Sequence, residues 1–465
     1  MMRTIGNCFL LLLMASFFSN NVFSQSLIWK KGCDGWIFTK NDNGNYQKFF
    51  AIGSWHLPGY VFTKAEESVA VVKMKNATLF KEKSASFNMI FVSPHELKDY
   101  MADKIQILNP CSPILHNYLN NIPELPKKDD KDYYRSQFLK KEVNRPEFEH
   151  YLDKKMDSLV KSLPIRKHIY SHIDEIALGG ISNWFIPPTV GKKLYKSIIK
   201  NDPGSLVFVD LVGQGKGSTF FFEKNYLTDH KTMPADPPYK LLRKEYRNIP
   251  KKPLLGFSQA YDGTPVYKMI NGNYTYNDYD SVKLRSMWYQ NILILAKAYK
   301  DNGSVFSINA FRDFYKIPEL AGITVDALKA GTGGCPVWLY FDGNGYAKPG
   351  NVSAVDYVNN VKCQIYTSII HGATGILFWN DWKKSPEVFD TLQTVLKELR
   401  KNLDIIYLNT VETKQIGDIH LMIKKGANSV NYIIATNTNI HKSAQLNYGK
   451  IKIELSPLEV YIKQL

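Results

Sequence analysis

The chain has 465 residues, 44% of them hydrophobic and 22% charged, with a formal net charge of +16 at pH 7. This is globular composition: it excludes a disordered or fibrous chain, and the length suits one large domain with a small one attached. A basic surface favours anionic partners such as uronate or sulfated glycans, lipopolysaccharide or nucleic acid, but the lysines are scattered as Lys-Lys pairs over helices and loops, and no basic, aromatic-interleaved module points to nucleic acid.

The N-terminus reads as an export signal. Arg3 supplies the positive start, Cys8 to Phe18 the apolar core, and Val22-Phe23-Ser24 the modest side chains before cleavage at Gln25. The apolar run is shorter than the roughly 20 residues of a membrane span, and no later segment reaches that length. The expectation is a signal peptide over residues 1–24 and a secreted or periplasmic mature chain with no membrane span. Of the four cysteines that remain, none sits in a C-x-x-C pair, which weakens zinc and thioredoxin-type readings. Export allows a disulfide, with Cys33–Cys111 as the candidate pair; Cys335 and Cys363 fall beside or within buried segments and are expected as free core thiols.

No repeat of 20–50 residues is present. Short apolar runs rich in β-branched and aromatic residues alternate instead with longer amphipathic ones, which predicts βα units and a parallel sheet. In chain order the candidate strands are Phe49 to Trp55, Phe87 to Val92, Ile105 to Leu108, His168 to Ile173 and Leu206 to Val212. Leu254 to Ala260 and Val305 to Ala310 compete for the sixth place, the former better read as an excursion in a loop. Pro336 to Phe341 and Gly375 to Trp379 follow. Helical spacing marks Glu149 to Ser162, Ser281 to Tyr299 and Val355 to His371, whose interiors lack proline, and Pro386 opens a last long helix to about Asn402. Pro123 to Asp132 reads as a solvated loop. From about Asp404 the period shortens: Ile419 to Ile423, Asn431 to Asn437, Ile451 to Leu455 and Leu458 to Ile462 predict a small antiparallel sheet. The expected architecture is α/β, a (β/α)8 barrel over residues 25–405 followed by an antiparallel β domain over 406–465.

Particular stretches carry a resemblance. His168-Ile169-Tyr170-Ser171-His172-Ile173-Asp174-Glu175 resembles the fourth strand of glycoside-hydrolase barrels, which ends in an acidic pair. Pro187-Pro188, the helix to Ile199, Asp202-Pro203-Gly204 and Leu206 to Asp210 are similar to the passage into strand five. Cys335 to Phe341 resembles strand seven, and Ala354 to Trp379 the last helix and strand eight. The resemblance implies a carbohydrate substrate, paired-carboxylate chemistry and no cofactor. The retaining clan usually carries Asn-Glu after strand four and Glu after strand seven; this chain has Asp174-Glu175 and Tyr340-Phe341-Asp342 there, which leaves open an inverting enzyme, an Asp nucleophile or a non-catalytic relative.

Barrel sites lie at the C-terminal ends of the strands, and cleaving a glycosidic bond needs an acid for the leaving oxygen and a second carboxylate opposite. Glu175, ending an apolar strand, is the candidate acid, since partial burial would keep it protonated. Asp342 is the candidate second carboxylate, although Asp342-Gly343-Asn344-Gly345 is also good turn chemistry. Asp381 and Asp210 are rivals, Asp210 reading as buried and hydrogen-bonded. Trp55, His56, Asp174, Trp184, Tyr340 and Trp379 are candidates for sugar contact, and Arg312 for clamping a carboxylate or sulfate. Gly213-Gln214-Gly215-Lys216-Gly217-Ser218 lacks phosphate-loop spacing. His168 and His172 share a strand face without a third metal ligand, so no metal is expected. Two other classes stay open: a non-catalytic carbohydrate-binding barrel, and a lyase on uronate polymers, which would use a Tyr or His base near an Arg.

Overall fold

The structure is a computed structural model. It describes residues 29–32, 34–41, 43–55, 86–92, 105–120, 142–163, 168–172, 186, 188–211, 267–270, 273–276, 281–379, 385–427, 430–449 and 451–465. Three short strands come first: β1 (Trp29–Lys31), β2 (Ile37–Lys40) and β3 (Tyr46–Phe49), an antiparallel sheet that the sequence reading did not anticipate. Its signal was there in Asn43-Gly44, a hairpin dipeptide between alternating segments; Gly44 has φ +79°, and Asn45 N–H donates to Asn41 Oδ1 at 2.9 Å.

The parallel strands follow: β4 (Ala51–Trp55), β5 (Met89–Val92), β6 (Ile105–Leu108), β7 (His168–Ser171) and β8 (Leu206–Asp210). After a separate hairpin, β9 (Tyr267–Ile270) and β10 (Asn273–Tyr276), come β11 (Val305–Ser307), β12 (Trp338–Asp342) and β13 (Gly375–Trp379). Their order across the sheet is β11-β8-β7-β6-β5-β4-β13-β12, with every pairing parallel. Bridges Phe306–Val337 and Asn309–Tyr340 join the two edges, so the sheet closes into an eight-stranded barrel. Val305 to Ala310 thus supplies the sixth strand; Leu254 to Ala260 and Pro123 to Asp132 lie outside the described residues.

The helices are α1 (Cys111–Asn120), α2 (Pro146–Ser162), α3 (Pro188–Asn201), α4 (Ser281–Tyr299), α5 (Phe311–Lys316), α6 (Glu319–Thr332), α7 (Ala354–Ile370), α8 (Pro386–Lys401) and the short α9 (Leu403–Tyr407). They alternate with the strands, which therefore bury both faces: all five residues of β8 and of β12 are buried. Ser353 caps α7, its hydroxyl accepting from Asp356 N–H at 3.0 Å. Pro386 occupies the first turn of α8, where its missing N–H costs nothing.

Side chains alternate across each strand, and one set fills the barrel. Phe91, Phe208, Trp338 and Tyr340 form an interior plug with ring centroids 5.9–6.2 Å apart. Gly375 keeps that plug closed, because a Cβ there would meet Trp338 Cδ1 at 2.5 Å and Ala51 Cβ at 2.6 Å. Below it the N-terminal sheet stoppers the barrel floor. Trp29, Ile37 and Phe49 join the interior cluster, Trp29 Nε1 donates to His168 O at 3.2 Å, and Lys31 Nζ reaches Cys335 Sγ at 2.9 Å.

Beyond α9 lies a four-stranded antiparallel sheet, order β14-β15-β16-β19, made of β14 (Asn409–Ile416), β15 (Ile419–Lys425), β16 (Asn431–Asn437) and β19 (Val460–Gln464). The expected strand Ile451 to Leu455 is not part of it. As β18 (Ile451–Leu455) it pairs with β17 (Ala444–Tyr448) in a separate hairpin turned by Gly449 at φ +58°, and the fourth place in the sheet goes to β14. The sheet packs on α7: Thr367 and Thr436 hydroxyls meet at 3.0 Å, Cys363 Sγ–H donates to Asn437 O at 3.4 Å, and Met422 and Ile434 belong to the main core.

Cys111, Cys335 and Cys363 are free and buried. Cys111 faces inward at the start of α1 with Sγ 3.8 Å from His172 Nδ1, so it makes no disulfide; Cys33 lies outside the described residues. Among the described residues no helix is long and apolar enough to cross a membrane, and no cluster of three His, Cys, Asp or Glu side chains is placed to hold a metal.

Candidate active site

Two residues on from the aromatic plug, the same strand faces turn polar. Asp210 follows Phe208 on β8, Asp342 follows Tyr340 on β12, and Trp379 follows Leu377 on β13. Asn309 bridges Tyr340 from just beyond β11. These positions are at the C-terminal ends of parallel strands, where barrel chemistry is carried out.

Asp210 is fully buried and accepts a hydrogen bond from Asn309 Nδ2 at 3.2 Å. Both side chains issue from neighbouring strands, whose register pairs Ser307 with Asp210. Asn309 was missed in the sequence. Its signal is a polar residue in step with the inward positions Val305 and Ser307, four and two residues earlier.

Asp342 is 3% exposed. Its Oδ1 accepts from Asn344 N–H at 3.0 Å. Its Oδ2 accepts from Ala347 N–H at 2.6 Å and from the Tyr357 hydroxyl of α7. Burial pushes its carboxyl above the ordinary carboxylate range, while these donors pull it back. The carboxylate thus organises the turn after β12 and ties it to α7. Tyr357, buried and 15 residues downstream, carried no sequence signal beyond its place on a helix.

The ends of strands one and eight meet as the sequence reading expected: Trp379 pairs in register with Trp55 on one side and with Asp342 on the other. Trp379 is half-buried against the interior cluster. Tyr340 is 1% exposed and packed edge-on to Phe208, so it belongs to the plug beneath the mouth. For Trp55 the backbone at the end of β4 is described and the side chain is not. The same holds for Arg312 in α5. His56, Asp174, Glu175, Trp184 and Asp381 lie outside the described residues.

The two strand-four histidines are structural. His168 Nε2 sits 3.1 Å from Asp202 Oδ2 and 3.0 Å from the Tyr170 hydroxyl, a clasp between β7 and the end of α3. His172 is fully buried with Nε2 on Asn302 O, and burial drops its pKa to about 4.

No family model matches the chain, and no curated protein matches it. Solved structures of glycoside hydrolases do resemble it. An Anoxybacillus alpha-amylase is 10% identical, with 89% of this chain and 97% of that one covered and a TM-score of 0.46. A GH27 β-L-arabinopyranosidase from Geobacillus stearothermophilus is 9% identical, with 89% and 96% covered and a TM-score of 0.41. A GH26 endo-β-1,4-mannanase catalytic domain from a Bacillus species is 10% identical, with 75% and 86% covered and a TM-score of 0.36.

Among the described residues, the strand ends thus carry two buried carboxylates and a buried amide, bonded to one another or to their own turn, beside one half-buried indole.

Proposed function

We propose that the protein is a secreted glycoside hydrolase that cleaves glycosidic bonds of a polysaccharide or oligosaccharide, with Glu175 as general acid. The observation that carries the reading is the closed barrel whose strand ends bring Asp210, Asn309, Asp342 and Trp379 together over an aromatic plug. Export rests on the pattern of residues 1–24. Asp342 is the proposed second carboxylate, Asp210 its rival, and Trp55, His56, Asp174, Trp184, Trp379, Asp381 and Arg312 the proposed sugar contacts. Sugar release from a polysaccharide panel tests it. Wild type should release sugar from at least one member, and Glu175→Gln should lower the rate at least ~100-fold, the usual contribution of a positioned general acid. Undiminished release by the variant would remove Glu175 from the mechanism.

One observation favours a second reading, a non-catalytic carbohydrate-binding barrel: both oxygens of Asp342 are already committed to its own turn and to Tyr357. Binding of a panel member without any release of reducing ends would select that reading.

A further inference from the structure

A cavity lined by described residues lies at the opposite end of the barrel from the mouth. It has a volume of about 670 Å³ and lies between the N-terminal sheet, the ends of α6 and α7, and the β domain. Its charge is one-sided. Lys48 of β3, Lys329 of α6, Lys414 of β14 and Lys424 of β15 face it, against Asp34 and Asp326.

Both aspartates are already engaged. Asp34 Oδ1 accepts from Trp36 N–H at 3.2 Å, and Asp326 Oδ2 is 2.7 Å from His371 Nδ1. The lysines, by contrast, have no carboxylate partner among the described residues. Lys424 is 3% exposed and donates only to the Ile406 and Leu408 carbonyls, at 2.8 and 3.0 Å. Lys48 donates to Tyr407 O at 2.8 Å, with Nζ 5.2 Å from the centroid of the Trp36 ring. Lys329 Nζ lies against Gly372, where a Cβ would approach it to 2.5 Å. Lys414 is exposed.

A buried ammonium held by carbonyls alone is costly. Burial lowers the Lys424 pKa to about 8, and an anion arriving in the cavity would offset that cost. The volume is that of a small-molecule site, far larger than a bare ion needs. Thr410, Thr413 and Gln415 add hydrogen-bonding groups to one wall, and Trp36 and Met422 add apolar surface.

We propose that this cleft is a second binding site, for a sugar-sized ligand that carries an oxyanion, as a carboxylate or a sulfate ester. The site is independent of the barrel mouth and stands whether or not the mouth is catalytic.

The test is calorimetric titration of the full chain at low salt. The probes are a glucuronate-bearing disaccharide, a sulfated disaccharide, a neutral disaccharide and inorganic sulfate. At least one charged disaccharide should bind, with the neutral one about tenfold weaker or worse, the factor expected for losing a charge-assisted hydrogen bond. The double variant Lys329→Gln/Lys414→Gln should weaken the charged disaccharide by a similar factor while leaving the melting temperature in place, since neither amine holds a carbonyl. Inorganic sulfate binding as tightly as the charged disaccharide would make the ligand a free oxyanion and overturn the sugar assignment. Failure of both charged disaccharides to bind, or binding that the double substitution leaves intact, would overturn the site itself.

Discussion

At the scale of single residues, Asp342 shows how one carboxylate serves a fold and a site at once. Three donors converge on it, two from its own turn and one from α7. Tyr357→Phe removes the hydroxyl and leaves a buried carboxylate oxygen with one donor fewer. Hydrogen bonds to charged groups contribute ~1.5–3 kcal/mol, so the variant should lose about that much stability, read as a lower urea midpoint at unchanged m-value. An unchanged midpoint would mean that the hydroxyl is replaced by solvent and the turn is held by its backbone donors alone. The pH dependence has a definite sign. Because the folded carboxyl sits above its ordinary value of 3.8, Asp342 contributes stability that is full below that value and fades as pH rises through the folded pKa. This residue was legible in the sequence only as an ambiguity, since Asp-Gly-Asn-Gly is turn chemistry wherever it occurs. The Tyr357 contact, which decides how buried the carboxylate is, depends on how a helix packs on a strand and is written in no local pattern.

At the scale of elements, the parallel strands were readable because burial on both faces demands continuous apolar runs, and Leu206 to Asp210 or Trp338 to Asp342 are such runs. What escaped had weak or mixed patterning. β14 is Asn-Thr-Val-Glu-Thr-Lys-Gln-Ile, largely exposed, and its pairing is dictated by β15. α6 buries Glu319, Gly322, Thr324 and Gly331 along with its apolar residues, so it shows no clean stripe. It is specified instead by close packing on α4. A Cβ at Gly331 would lie 2.5 Å from Ala296 Cβ and 2.9 Å from Leu293 O. The second of these is backbone and cannot swing aside, so Gly331→Val should force α6 off α4. Overpacking of this kind costs roughly 1–3 kcal/mol, with a further loss from β-branching in a helix. Thermal unfolding of Gly331→Val beside the milder Gly331→Ala provides the measurement. A valine variant as stable as wild type would show that the two helices separate freely.

At the scale of the whole molecule, the barrel and the β domain are joined through a chain of ionisable groups that runs from the exposed Asp326 to the buried His420 and Glu319. His371 Nε2 and His420 Nδ1 meet at 2.9 Å. Asp326 holds the other nitrogen of His371, and Glu319, paired with Arg285 and accepting from Gln415 Nε2, stands 3.8 Å from His420 Nε2. His420 is 1% exposed; burial, together with the neighbouring His371 and Arg285, lowers its pKa to about 3. With His172 at about 4, two imidazoles among the described residues stay neutral where the unfolded chain, with histidines near 6.5, has taken up protons. Their contribution is therefore intact above pH 6.5 and is lost as pH falls through the folded values, at ~1.4 kcal/mol per pH unit for each histidine. The two differ in where the loss is felt. His172 lies within the barrel wall, whereas His420 belongs to β15 and bridges the domains, so acid should weaken the barrel wall through the one and the seam through the other. Urea unfolding at pH 7 and pH 5 measures the sum, and His420→Gln, which cannot titrate, isolates one share. The variant should lose about half of the pH dependence, and domain-separating proteolysis near 402–409 should no longer accelerate at pH 5. A variant with the full wild-type pH slope would place the acid sensitivity elsewhere and leave the histidine pair as packing alone.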